Sequence, residues 1–251
     1  MTSLQLQTIS SEIKDRIQPR ILNMSAFGAF SEFEKVSLNR EIEKLSKVDR
    51  GSADLWRAVL VHTDGDFESA LSHIENAKKL RHTKLSIDVA ELSICCNLLY
   101  STRALSIFSR MVSLENGNIS SHLHMALSTG AFQLSKDLVA KAGSAVDLSG
   151  VAFLNEILEA ADFLKTQNVT DEICAQILDV AGEVMREHKL FWMNLNPDIY
   201  VNVDEGFLKL DLRVDVTPKQ ASKMTLEMID KLIEKSLLDF PFTVDFLGVK
   251  I

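Results

Sequence analysis

GDFESALSHIENA, residues 65–77, and GAFQLSKDLVAKA, residues 130–142, are two copies of one pattern. Each opens Gly-x-Phe. A small residue follows (Ala70, Ser135), then a β-branched residue (Ile74, Val139), then an alanine (Ala77, Ala142). The three- and four-residue steps put these positions on one face of a helix. The glycine supplies a turn before that helix, the aromatic ring fills the seam between paired helices, and the small residue lets a neighbour come close. Between the copies, Ala104, Phe108 and Met111 keep the same internal steps. Ala104 lies 34 residues after Ala70, and Ser135 lies 31 after Ala104.

Outward from this pattern the apolar spacing stays helical to about residue 190. Ile9, Ile13 and Ile17 form one stripe, and Leu38, Ile42 and Leu45 another. Leu154, Leu158 and Ala161, then Ile173, Ile177 and Val180, form later ones. Breaks are predicted at Pro19, Gly51, Thr63–Gly65, Asn116–Asn118, Gly130, Gly143–Gly150 and Gln167–Thr170. Short helices joined by short connections imply antiparallel hairpins.

A helix-hairpin repeat near 34 residues resembles the tetratricopeptide repeat, over roughly residues 51–145. Asp54 stands where that family has its early Trp, His82 where it has its closing Pro, and Leu92 and Leu123 where Ala58 gives the first unit its small residue. The resemblance implies a concave groove lined by the first helix of each hairpin. Its lining is then Leu55, Val59 and His62, next Val89, Ser93 and Cys96, next Ser120, His124 and Leu127. Well-known clamp members of the family carry Lys, Arg and Asn there to hold a peptide carboxylate. Apolar and small residues point instead to an amphipathic helix or an internal segment as occupant, with burial as plain core the competing reading of the same positions.

After residue 190 the period changes to two. Ile199, Val201 and Val203 alternate with Tyr200 and Asn202, Asp204-Glu205-Gly206 makes a turn, and Leu208, Leu210, Leu212, Val214 and Val216 alternate with charged residues. This predicts a β-hairpin. Thr217-Pro218-Lys219-Gln220 has the signature of a capping box with Pro at the first helical position. Ala221, Met224, Met228 and Leu232, with Ile229 and Ile233, are expected to line one face of the helix, and Phe242, Val244 and Phe246 form a last strand. The expected fold is mainly α: stacked antiparallel helix hairpins over residues 1–190, followed by a β-β-α-β unit over 191–251. So small a unit needs a neighbour, so it is expected to dock on the helical part or on a second copy.

Composition restricts the chemistry. The 251 residues carry 27 Lys+Arg against 35 Asp+Glu, a net charge of −8, so no basic platform for nucleic acid is expected. The four residues Lys78, Lys79, Arg81 and Lys84 form a local basic cluster, read as a solvated helix end. Three cysteines are too few for a disulfide scaffold and fit a reducing, cytoplasmic setting. No bilayer-length apolar run and no signal peptide are visible, so no membrane partner is expected. No two of the ten glycines are separated by one residue, which excludes the dinucleotide loop, and the phosphate loop, the G-x-S-x-G elbow, H-E-x-x-H and C-x-x-C are all absent. His122 and His124 point apart on a helix, Glu183 and Glu187 share a face, and Cys95-Cys96 sits in an apolar helix. Each is read as structural rather than as a metal or redox site.

The expected function is non-enzymatic: an adaptor or assembly chaperone that holds a protein or peptide segment, without metal or cofactor. Self-association through the C-terminal sheet is the alternative. An enzyme with an unrecognised site near His62, His124 or Glu187 comes third.

Overall fold

In the computed structural model, residues 3–114, 123, 125–143, 148, 150–151, 153–192 and 198–249 are described. They form eleven helices and three strands, so the chain is mainly α with a small C-terminal sheet. The helices are α1 (Ser3–Leu22), α2 (Glu32–Ser46), α3 (Arg50–His62), α4 (Phe67–Lys79), α5 (Lys84–Asn97), α6 (Ser101–Leu114), α7 (Ala126–Thr129), α8 (Phe132–Ala142), α9 (Leu154–Thr166), α10 (Asp171–Glu187) and α11 (Pro218–Glu234). The strands are β1 (Asp198–Asn202), β2 (Phe207–Val214) and β3 (Phe242–Gly248).

Contacts divide the chain into one unit of Met1–Ile94 with Lys189–Met193, and a second of Cys95–His188 with Asn194–Ile251. This division differs from a boundary at 190, where the sequence period changes. The C-terminal strands and α11 share their contacts with residues 95–188, and the break in contacts falls inside α5.

In the first unit, α1, α2 and α3 bury Ile13, Ile17, Phe30, Leu38, Ile42, Leu45, Ala53 and Leu60 in one cluster. Pro19 does not break α1, which runs on to Leu22; the Asn23 side-chain amide donates to the Pro19 carbonyl at 2.6 Å just past that end. Ser31 and Glu34 form a reciprocal capping box at the start of α2. Residues 189–191 return to this unit as a strap: Ala26 bridges Leu190, the Phe27 N–H donates to Lys189 O at 2.9 Å, and the Phe191 N–H to Ser25 O at 3.1 Å.

In the second unit the sheet order is β1-β2-β3, antiparallel then parallel, with α11 as the crossover between β2 and β3. Alternation along β2 buries Leu208, Leu210, Leu212 and Val214. Ala221, Met224, Met228 and Leu232 of α11 are buried as the spacing predicts, but Ile229 is only half-buried and Ile233 is exposed, because they lie off the centre of that face; Thr217 and Gln220 complete the predicted capping box. Val203 departs from the expected alternation: it falls in the turn after β1 and is exposed. The sheet docks on the helices of its own unit, where Phe242 meets Phe132 edge-on with ring centroids 5.8 Å apart.

Candidate binding surface

The repeated pattern has a shared backbone form. Gly65 and Gly130 both take positive φ (78° and 70°), and Phe67 and Phe132 are each the first residue of the following helix. The Phe N–H donates back to the glycine carbonyl in both, at 3.0 and 3.1 Å. Both rings are buried. The middle unit reaches the same place without glycine: Leu99 takes φ 48° and α6 starts two residues on. Ala70, Ala104 and Ser135, each five residues after the positive-φ residue, are fully buried.

The residue just before each second helix differs among the three. Asp66 caps α4 itself, accepting from the Ser69 N–H at 3.0 Å. Tyr100 and Ala131 offer no such acceptor. In the second unit α10 supplies it. Asp179 accepts from the Thr102 N–H at 3.2 and 3.3 Å at the start of α6. Asp171 accepts from the Gln133 and Leu134 N–H groups, both at 2.9 Å, at the start of α8. Burial pushes both carboxyls up, and the N–H bonds oppose that rise. Arg186, on the same helix, donates to the Leu98 and Leu99 carbonyls past the end of α5 at 2.5 and 3.0 Å, and its guanidinium lies 3.9 Å from the Tyr100 ring centroid. One stripe of α10 therefore satisfies backbone groups that those hairpins leave open.

Two glycines make that approach possible. A Cβ on Gly182 would lie 2.2 Å from Leu99 O, and one on Gly130 would lie 2.8 Å from Ala175 N. The Gly65 turn of the first unit is filled differently, by the Phe27 ring, which a Cβ there would meet at 2.0 Å.

The nine lining positions do not share one environment. In the first unit Leu55 and His62 are buried, and Val59 is half-buried against the α1–α3 cluster. His62 donates from Nδ1 to the Val59 carbonyl and meets the Phe191 ring edge-on; burial lowers its pKa to about 4, so it is neutral at physiological pH. Val89 is exposed and Ser93 half-exposed on α5. In the second unit Cys96 and Leu127 are buried. Ser120 and His124 lie outside the described residues. Leu55, His62, Cys96 and Leu127 thus sit in the interior, Val59 and Ser93 are each partly exposed, and Val89 alone is exposed among the positions described.

The other groups with chemical potential are also engaged. Cys95, Cys96 and Cys174 are reduced and buried, and burial pushes the Cys96 thiol up to about 12 and Cys174 well upward. That keeps Cys96 and Cys174 as thiols rather than reactive thiolates. Glu183 and Glu187 are not a bare carboxylate pair. Lys231 of α11 donates to Glu183 at 2.6 Å and to Glu187 at 2.9 Å, and Lys235 donates to Glu183 at 2.6 Å. These cations hold the Glu183 carboxyl down at about 2. His188 meets Glu227 at 2.6 Å beside them, so this face is the seat of α11. Sequence spacing alone found the glutamates but not the lysines more than forty residues away.

No family model matches the chain, and no curated protein or solved structure matches it. Among the described residues no helix is long and apolar enough to cross a membrane.

Proposed function

We propose that this chain is a non-enzymatic interaction module of adaptor or assembly-chaperone type, built on degenerate tetratricopeptide-like hairpins. The observation that carries this reading is the outer face of α5, where Leu85 and Val89 are exposed one turn apart with Ser93 a turn beyond, while the other described lining positions serve the core or border it. The occupation of His62, Glu183, Glu187 and the cysteines in structural roles supports it further. Three buried, reduced thiols accord with a reducing cytoplasmic location. The test is copurification of the tagged full chain from its source cell, with quantitative mass spectrometry. A protein partner held at fixed stoichiometry is expected; recovery of the chain alone overturns the proposal.

Self-association through the C-terminal sheet has less support. On β3 the Phe246 N–H already donates to Thr225 Oγ1 of α11 at 3.1 Å, which removes one donor that an added strand would use. Light scattering at two concentrations checks this, with a monomer at both expected.

A further inference from the structure

The corner between α4 and α5, inside the first unit, combines two kinds of unsatisfied surface. Leu80 ends α4 at 42% exposure, and Leu85 and Val89 stand on α5 at 51% and 42%. Lys79, Arg81 and Lys84 are exposed around them, and none has an ion pair among the described residues. Lys78 differs, because it already holds Glu75 at 2.8 Å and the buried Glu91 at 3.0 Å. Helix ends explain only part of this charge. Lys79 suits the negative end of α4, but Lys84 stands at the first position of α5, where the helix dipole disfavours a cation and no acidic residue occupies the first turn. An acid-free first turn is shared with α3, α6, α8 and α11, whereas α2, α4, α9 and α10 carry acids there. Three exposed cations therefore share the stretch 79–89 with three exposed apolar side chains, in a chain whose net charge is −8.

We infer that this corner docks an acidic amphipathic segment of a partner protein, with Leu80, Leu85 and Val89 receiving its apolar side chains and Lys79, Arg81 and Lys84 its carboxylates. The inference rests on the interaction-module reading and adds the partner's chemistry. An apolar helix face carrying Asp and Glu on its flanks satisfies both halves of the corner at once. Carboxylates also complement the positive end of α5. Leu22, Phe33 and Val36 form a useful contrast in the same unit. They are exposed too, Phe33 at 84%, but the cations beside them, Arg20 and Lys35, are already paired with Glu34 and Glu32, so that face offers an acidic segment no unpaired cation of this kind.

The experiment uses the full chain and a fluorescent helix-forming peptide of about eighteen residues, with Leu along one face and Glu on both flanks. A scrambled peptide of the same composition serves as control, and binding is followed by anisotropy. Tighter binding of the patterned peptide by about tenfold is expected. The double variant Leu85→Ser/Val89→Ser should lose about tenfold in affinity with all charges intact. Lys79→Glu/Lys84→Glu should lose at least as much and abolish the salt dependence. Arg81→Gly guards against misfolding, because glycine suits the positive φ of 57° at that position; it should retain the native circular dichroism and still bind more weakly. Phe33→Ser should leave binding unchanged. Equal binding of both peptides, or indifference to the corner variants, overturns the inference. So does preference for phosphatidylserine vesicles or an oligonucleotide over the patterned peptide. If the corner variants still copurify a stoichiometric partner, the corner assignment fails while the interaction module stands; if the wild-type chain copurifies none, the module reading itself fails.

Discussion

The hairpin α3–α4 and the hairpins of residues 95–142 solve one problem in opposite ways. Each second helix begins with backbone N–H groups that have no partner inside the helix. In α4 the solution is local, since Asp66 lies directly before the helix and turns its carboxylate onto Ser69. In α6 and α8 the corresponding residues are Tyr100 and Ala131, and the acceptors come from Asp179 and Asp171 on α10. Local capping frees the start of the second helix from any acceptor downstream. Capping from a distance makes two hairpin turns depend on one helix, and the glycine at 182 is the condition for that helix to come near.

Breaking the near approach should have the largest effect. Gly182→Val forces a side chain into the Leu99 carbonyl, a backbone atom that cannot swing aside, and a loss of about 3 kcal/mol or more is expected in urea unfolding. Asp171→Ala comes next, at about 2 kcal/mol, because two N–H groups lose their acceptor in a half-buried site. Asp179→Ala and Asp66→Ala should each cost about 1 kcal/mol, and they separate the two regions. Hydrogen exchange should show faster opening confined to α4 for Asp66→Ala, but at α6 and α10 together for Asp179→Ala. Equal and purely local effects for both would erase the distinction.

The smallest effect concerns the seat of α11. The Glu183 carboxyl lies at about 2 in the folded chain, against an ordinary value of 4.5. A lowered carboxyl pKa contributes stability above the ordinary value, and the contribution is lost as pH falls from there toward 2. The melting temperatures of wild type and Glu183→Gln should therefore differ slightly at neutral pH and converge in acid. The partial exposure of these side chains and added salt both reduce the difference.

Period and turn chemistry made much of this fold legible. Alternation from Leu208 to Val214 and the Thr217–Gln220 box specified the strand and the next helix from local information. Gly65 and Gly130 marked their turns because a positive φ favours glycine. The helix ends at Arg81 and Leu99 were not visible, since ordinary side chains occupy the left-handed position there. There the closure comes from His82 N–H to Ala77 O at 3.2 Å and Tyr100 N–H to Cys95 O at 2.9 Å. The lining implied by the repeat resemblance did not separate inside from outside for a related reason. Periodicity places Val59, His62 and Val89 on particular helix faces, but the α1–α3 cluster and the 189–191 strap cover the first two and leave Val89 bare. The ion pairs of Glu183 and Glu187 depend on residues 44 to 52 positions away, beyond any local pattern.

Borrowed caps also impose an order in time. As the chain leaves the ribosome, α4 has its cap from the moment its own residues emerge. The start of α8 must wait for a carboxylate 38 residues downstream, and the start of α6 for one 77 residues downstream. Until Asp179 has cleared the exit tunnel, the nascent segment from residue 95 onward holds open helix starts and uncovered apolar faces.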